Sequence, residues 1–312
     1  MAEESWERQV IEQLATEGLR EQTRARRWGI FFKLLTFAFL FVALLAVAGA
    51  LTVSQRSCLD KCTAQVELRG ELDADGAASA ENVMAGLQAA FKNKGTQGVV
   101  LRINSPGGSP VQAGEINDEI RRLRVQYPAI PIYAVVEEMC ASGAYYAAVA
   151  ADKIYVDKAS LIGSIGVIID GFGFIGAMDK LGIERRALTA GENKTFLDPF
   201  SPMTPQQRDY AQSMIGEIHQ QFIAVVKAGR GARLKESPEI FSGLVWNGTR
   251  SVDLGLADGL GSVEYVAREV IKAEDVVDFT VKENISERLA RKFGATLGRS
   301  LGAVISRSVH WR

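Results

Sequence analysis

Residues 97–138 read QGVVLRINSPGGSPVQAGEINDEIRRLRVQYPAIPIYAVVEE. The run QGVVLRI (97–103) is short, apolar and rich in β-branched residues, as a buried strand requires, and VQAGEINDEIRRLRVQ (111–126) places its apolar residues at helical spacing. PIYAVVEE (131–138) is a second strand of the same kind. Upstream, TAQVELRGEL (63–72) reads as a strand and ASAENVMAGLQAAFKN (78–93) as a helix with Ser79 available as its cap. Strand, helix, strand, helix, strand in that order predicts an α/β fold, a parallel sheet covered by helices through right-handed crossovers. Functional groups should then gather where the strands end, and no sequence repeat of fixed period suggests another architecture.

Three segments lie at such ends: SPGG (105–108), Ala141-Ser142-Gly143, and SLIGSIGVI (160–168) after KIYVD. Beyond them, residues 205–228 have helical spacing, and LVWNGTRSVDLGLADGLGSVEYVAREVI (244–271) adds a short αβ unit to the same domain.

The remainder of the chain concerns attachment and location. Leu34–Val53 is an uncharged run of about 20 residues, enough at 1.5 Å per residue to cross the ~30 Å hydrocarbon core as one transmembrane helix. A charged stretch of residues 1–33 precedes it, too long for a cleaved signal peptide. Arg24, Arg26, Arg27 and Lys33 crowd the N-terminal flank, so the positive-inside rule keeps residues 1–33 cytoplasmic and places residues 54–283 outside, facing a periplasm or the exterior. Residues 284–312 carry Ile285, Leu289, Phe293, Leu297, Leu301, Ile305 and Val309 every fourth position among basic side chains, an amphipathic segment suited either to a lipid surface or to a neighbouring subunit. Charge is balanced, 36 basic residues against 37 acidic, which excludes the electrostatic footprint of a nucleic-acid binder. Cys58 and Cys62 could pair locally or between chains in an oxidising compartment, no histidine lies near them to complete a metal site, and Cys140 reads as a small buried residue. Nothing in the sequence calls for a cofactor.

Ser142, in MCASGAYYAAVAAD (139–152), is the candidate nucleophile. A serine hydroxyl needs a base, usually histidine, yet the chain has only His219 and His310, neither in a context that would orient an imidazole. Lysine can serve instead when desolvated, since bringing a lysine from ~10.4 to near 7 takes roughly 4 to 5 kcal/mol of disfavour for its charged form. Lys194, in TAGENKTFLDPFSPMTP (189–205), follows a Gly-Glu-Asn turn and precedes an apolar, proline-rich loop. Taken singly, Ser142 would be a packing residue and Lys194 a solvated loop residue. Tyr145 and Tyr146 read as core or pocket wall.

Together, Asn104-Ser-Pro-Gly-Gly108, Ala141-Ser-Gly-Ala-Tyr-Tyr146, Gly163-Ser-Ile-Gly166 and Gly191-Glu-Asn-Lys194 resemble, in order and spacing, the signal peptide peptidase A (SppA and SohB) family of membrane-bound serine proteases, over about residues 64 to 272. The resemblance implies a ClpP/crotonase-like fold and a Ser142/Lys194 dyad, with Ser164 holding the lysine in place. Gly107 and Gly108 would form the oxyanion hole, with the N–H of Gly143 as a further donor. It implies a short, single-domain form that assembles into a homo-oligomeric ring with active sites near subunit boundaries, acting on hydrophobic peptides. Ala144 departs from the second glycine of many relatives. Two other functions share this architecture: a crotonase-type acyl-CoA hydratase, for which Glu137 and Glu138 would be candidate bases, and a catalytically inactive membrane scaffold. An external location speaks against the first, and retention of Ser142, Lys194 and Ser164 against the second.

Overall fold

A computed structural model describes residues 2–51, 58 and 60–281. The chain divides into two units, Met1–Gln55 and Arg56–Arg312. The described residues of the first form the helix α1 (Ala2–Leu51), and within it Arg20–Leu44 is long and apolar enough to cross a membrane. The last two positions of the run at 34–53, and the basic segment 284–312 with His310, lie outside the described residues.

The second unit is the α/β domain. Its elements are β1 (Cys62–Arg69), α2 (Ala80–Lys92), β2 (Thr96–Ser105), α3 (Pro110–Gln126), β3 (Ile132–Ala141), α4 (Gly143–Ala148), β4 (Lys153–Val156), β5 (Leu161–Gly163), α5 (Ile175–Leu181), α6 (Pro205–Arg230), β6 (Val245–Asn247), α7 (Gly248–Asp253), β7 (Gly259–Leu260), α8 (Val263–Tyr265, continued by a π-turn to Ile271) and β8 (Val276–Asp278). The sheet runs β6-β5-β3-β2-β1-β8, with β4 paired to β3 and β7 paired to β4. Every pairing is parallel except β5 with β6.

Local chemistry accounts for the helices. Ser79 caps α2 through the Asn82 N–H, Ser109 caps α3 ahead of Pro110, and Thr204 with Gln207 forms a reciprocal capping box on α6. One sheet face packs under α2, α3, α4 and α6 in a core that includes Val66, Leu68, Leu101, Ile103, Ile116 and Phe222. On the other face Val100, Val135 and Tyr155 meet Val263 and Val266 of the last helical segment. Cys58 and Cys62 form an intrachain disulfide that packs on Val277 at the start of the sheet. Gly95 is required beside it, because a Cβ there would fall 2.5 Å from the Cys58 sulfur and 2.2 Å from the Asp60 carbonyl oxygen.

Strand β3 sets where the strand ends converge. Its first half, Tyr133–Val136, pairs with β4, and its second half, Met139–Ala141, pairs with β5. The pairing with β2 also slips between Ile103 and Ser105, so that Ser105 lies opposite Cys140. Three parallel strands therefore end together at Ser105, Ala141 and Gly163. Carboxyl ends of parallel strands are where α/β folds place their sites.

Candidate active site

Ser142 follows the last residue of β3 and precedes the first residue of α4. Its backbone sits at φ 51°, ψ −125°, a region that costs a non-glycine residue of order 1–3 kcal/mol and persists only when the surroundings enforce it. The surroundings do so. The Ser142 N–H donates to the Gly163 carbonyl at 2.9 Å, and the Ser142 carbonyl accepts the Tyr146 N–H at 3.1 Å to start α4. The half-buried side chain makes no capping bond, which leaves Oγ available.

Gly107 (φ 98°) presses against this turn: a Cβ there would lie 2.7 Å from the Ala141 oxygen, 2.7 Å from the Gly143 nitrogen and 2.8 Å from the Ser142 Cβ. Glycine is therefore dictated by both dihedral and contact. The Gly107 N–H donates to Ser105 Oγ at 3.2 Å, and its carbonyl accepts the Leu72 N–H at 2.8 Å. Among the described residues the N–H groups of Gly108 and Gly143 have no such partner, and the Cβ position of Gly143 lies 3.5 Å from the Gly108 nitrogen. Two free donors thus stand side by side next to Ser142. Ser105 was not singled out from sequence, although a serine two residues before an N–H is a common local acceptor.

Ser164 also has left-handed backbone, φ 52°, and its N–H donates to the Leu244 carbonyl at 2.7 Å. Gly163 before it rests on the Trp246 ring, 2.8 Å from where a Cβ would sit. The turn carrying Ser164 therefore joins the turn carrying Ser142 through one backbone hydrogen bond, Ser142 N–H to Gly163 C=O. His219 of α6 reaches the same turn, with Nε2 at 3.1 Å from the Ile165 carbonyl.

Lys194 occupies a different setting. It lies in a turn where its N–H donates to the Gly191 carbonyl at 3.2 Å, within the segment 166–204, and its side chain is exposed. That segment has a small core of its own: Phe174 stacks on Phe200 at 5.4 Å, Arg185 lies over Phe200 and pairs with Asp198, and Phe196 meets Tyr210 edge-on. Outside that core, Ile168, Phe172, Leu181 and Leu188 are 81%, 82%, 72% and 101% exposed. Among the described residues the Lys194 amine has no hydrogen-bond or ion-pair partner.

The neighbouring groups are engaged elsewhere. Tyr145 is fully buried and donates to the Leu256 carbonyl at 2.8 Å, and burial pushes its phenol up. Cys140 and Ala144 are fully buried, and burial pushes the Cys140 thiol up as well, which makes it a packing residue and not a thiolate. Glu137 pairs with Arg69 at 2.6 Å and with Arg102, so it is held in an ion-pair network and not free as a hydratase base.

A strained serine where three parallel strands end, crowded by glycines and beside two backbone N–H groups without a partner among the described residues, is an arrangement suited to acyl transfer. The family description for peptidase family S49 matches residues 125–277, which include Ser142, Ser164 and Lys194. A Methanocaldococcus jannaschii protein that carries a protease name is 31% identical over 220 residues, covering 69% of this chain and 70% of that protein. An Enterococcus faecium protein bearing the name signal peptide peptidase SppA is 30% identical over 203 residues, 65% of this chain and 58% of that one. The Brucella abortus (strain 2308) protein named Na(+)/H(+) antiporter NhaA is 39% identical over 218 residues, 70% of this chain. The match spans only 28% of that protein's length, and the antiporter name is that of the whole protein. The chain belongs to peptidase family S49, the SppA/SohB family of proteases.

Proposed function

We propose that the chain is a membrane-anchored serine endopeptidase that cleaves hydrophobic peptides, such as remnant signal peptides or damaged membrane proteins, with Ser142 as nucleophile and Lys194 as general base. The observation that carries this reading is the Ser142 turn itself: a strained serine whose side chain makes no capping bond, beside the N–H groups of Gly108 and Gly143, which have no partner among the described residues. In the reaction, Ser142 Oγ attacks the scissile carbonyl as the Lys194 amine takes its proton, and the oxyanion accepts hydrogen bonds from Gly108 and Gly143. Gly107 permits their close approach. The lysine then protonates the leaving amine, and water, activated by the same amine, hydrolyses the acyl-enzyme. Ser164 holds the lysine.

A lysine acts as a base only when uncharged, which a dry surrounding favours. The exposed apolar side chains on the segment bearing Lys194 supply such a surrounding once they are covered, and a neighbouring copy in a ring, or the substrate itself, is the cover we propose. The disulfide between Cys58 and Cys62 supports an extracytoplasmic domain, as does the basic flank of the apolar helix in a bacterial cytoplasmic membrane.

The test is hydrolysis of a fluorogenic apolar peptide by the full chain in detergent micelles. Ser142→Ala and Lys194→Ala should each lower kcat by about a thousand-fold or more with the fold intact by circular dichroism. Wild-type turnover in Lys194→Ala would require a different base.

A further inference from the structure

We infer that His219 is a positioning residue for the peptidase reaction: it fixes the turn that carries Ser164 and, through that turn, the backbone of Ser142. The inference rests on the assignment of Ser142 as the nucleophile. Helix α6 crosses the site's scaffold at successive turns. Phe222 packs on Tyr146 of α4 with ring centroids 5.2 Å apart, Val226 is buried, and Gly229 comes so close to the end of α4 that a Cβ would lie 2.3 Å from the Val149 oxygen. One turn before Phe222, the half-buried His219 places Nε2 3.1 Å from the Ile165 carbonyl. A carbonyl can only accept, so this nitrogen carries the proton and donates, as it does in both the Nε2–H tautomer and the imidazolium.

The bonded carbonyl lies one residue after Ser164, in a turn held at two other points. Ser164 N–H donates to Leu244 at 2.7 Å, and Gly163 accepts the Ser142 N–H at 2.9 Å. Ile165 is itself fully buried, so its carbonyl would be poorly hydrated without a donor. Ser164 is in left-handed backbone, which a residue other than glycine keeps only under such constraint. Releasing the Ile165 carbonyl relaxes Ser164 first, then the Gly163 carbonyl to which Ser142 is tied. Binding surfaces elsewhere on the domain are left unchanged, so the loss should fall on kcat and not on KM.

Steady-state hydrolysis of the fluorogenic peptide by the full chain in detergent tests this, with His219→Gln, His219→Asn and His219→Leu compared. Glutamine carries its amide nitrogen near the Nε2 position and asparagine does not reach it. The Gln variant should stay within about three-fold of wild-type kcat, while the Asn and Leu variants fall about 10- to 100-fold at unchanged KM, the scale of a sub-ångström misplacement. A kcat within three-fold of wild type for His219→Asn, equal impairment of Gln and Asn, or a loss confined to KM would each overturn the assignment. Should the Leu variant not fold, the Gln and Asn pair decides. Ser142→Ala run alongside separates the two claims: if it stays active, the nucleophile is misassigned, whereas if it is inactive and His219→Asn is normal, only the role of His219 fails.

Discussion

Replacing Gly107 by alanine adds one methyl group at the most crowded point of the Ser142 turn. Two costs arise. The backbone is at φ 98°, which an alanine adopts at a cost of about 1–2 kcal/mol. The new Cβ would also meet the Ala141 oxygen at 2.7 Å, the Gly143 nitrogen at 2.7 Å and the Ser142 Cβ at 2.8 Å. None of these is the far end of a flexible side chain, so the backbone must move, and overpacking of this sort costs about 1–3 kcal/mol. The sum is about 2–5 kcal/mol, or roughly 4–20 °C in thermal midpoint at ~2–4 °C per kcal/mol. Yielding instead at the Ser142 turn would spare stability but displace the hydroxyl, at a cost of about 100-fold in turnover. Thermal unfolding and peptide hydrolysis by the same preparation therefore close the question. Gly114→Ala is the control of opposite sign: it lies in α3 with nothing within 4 Å of its Cβ position, so alanine should stabilise by about 0.5–1 kcal/mol. A Gly107→Ala protein with wild-type midpoint and wild-type turnover would refute the packing argument for the whole site.

Asp258 supplies a pH-dependent prediction. Burial alone would raise its pKa, but the hydrogen bond and charge of Arg230 at 2.8 Å, the Ile154 N–H and Arg233 together hold it below the usual carboxylate range. A depressed carboxylate contributes stability that is present above its unfolded pKa of about 3.9 and is lost as pH falls through its folded value, so this contribution should vanish on acidification below about pH 4. Asp258→Asn should flatten that limb in acid titrations followed by circular dichroism. Because Arg230 is only 1% exposed, it should also cost about 3–5 kcal/mol near neutral pH, and a variant as stable as wild type at pH 7 would count against the buried pair. Replacing both Cys58 and Cys62 by serine should lower stability by about 2 kcal/mol, the loop-closure value for so short a loop, and should abolish any effect of dithiothreitol on the denaturation midpoint. An unchanged midpoint in the double variant would mean that the bridge contributes nothing to the folded state.

How far the sequence could be read depended on the range of the forces involved. Elements set by local periodicity and caps stood out: QGVVLRI lies inside β2, the run at 111–126 inside α3, and Ser79 caps α2 as its position suggested. The long helix begins at Pro205 and ends at Arg230, two residues beyond the last apolar repeat. What periodicity could not supply was pairing between distant positions. The antiparallel edge formed by β5 and β6 joins residues 161–163 to 245–247, and neither three-residue strand carries enough alternation to announce itself. The helix at Ile175–Leu181 buries no side chain, so the usual apolar stripe is absent. The hydrogen bond from His219 to Ile165 spans 54 positions, and a histidine in a Gln-rich helix gives no sign of its partner. The glycines of SPGG are legible as places of close approach. Which of their N–H groups remains free depends on Ser105, which takes that of Gly107 and which the fold brings there.

The arrangement of strain follows from the sheet. A serine at φ 51° is held there because β2, β3 and β5 end at one place and give it neighbours on both sides. From β2, Gly107 leaves no room for the turn to relax toward it. From β5, the Gly163 carbonyl takes the Ser142 N–H and thereby fixes the peptide plane that a relaxed dihedral would rotate. The second strained serine, Ser164, is the next residue along that same strand end, so a single hydrogen bond couples two residues that would each drift to lower-energy backbone if isolated. Release of either should therefore disturb both. The slip in β2–β3 pairing between Ile103 and Ser105 is what brings this about, since it places Ser105 opposite Cys140 and so delivers Gly107 to Ser142. The free N–H pair at Gly108 and Gly143 is thus a consequence of strand register as well as of loop sequence.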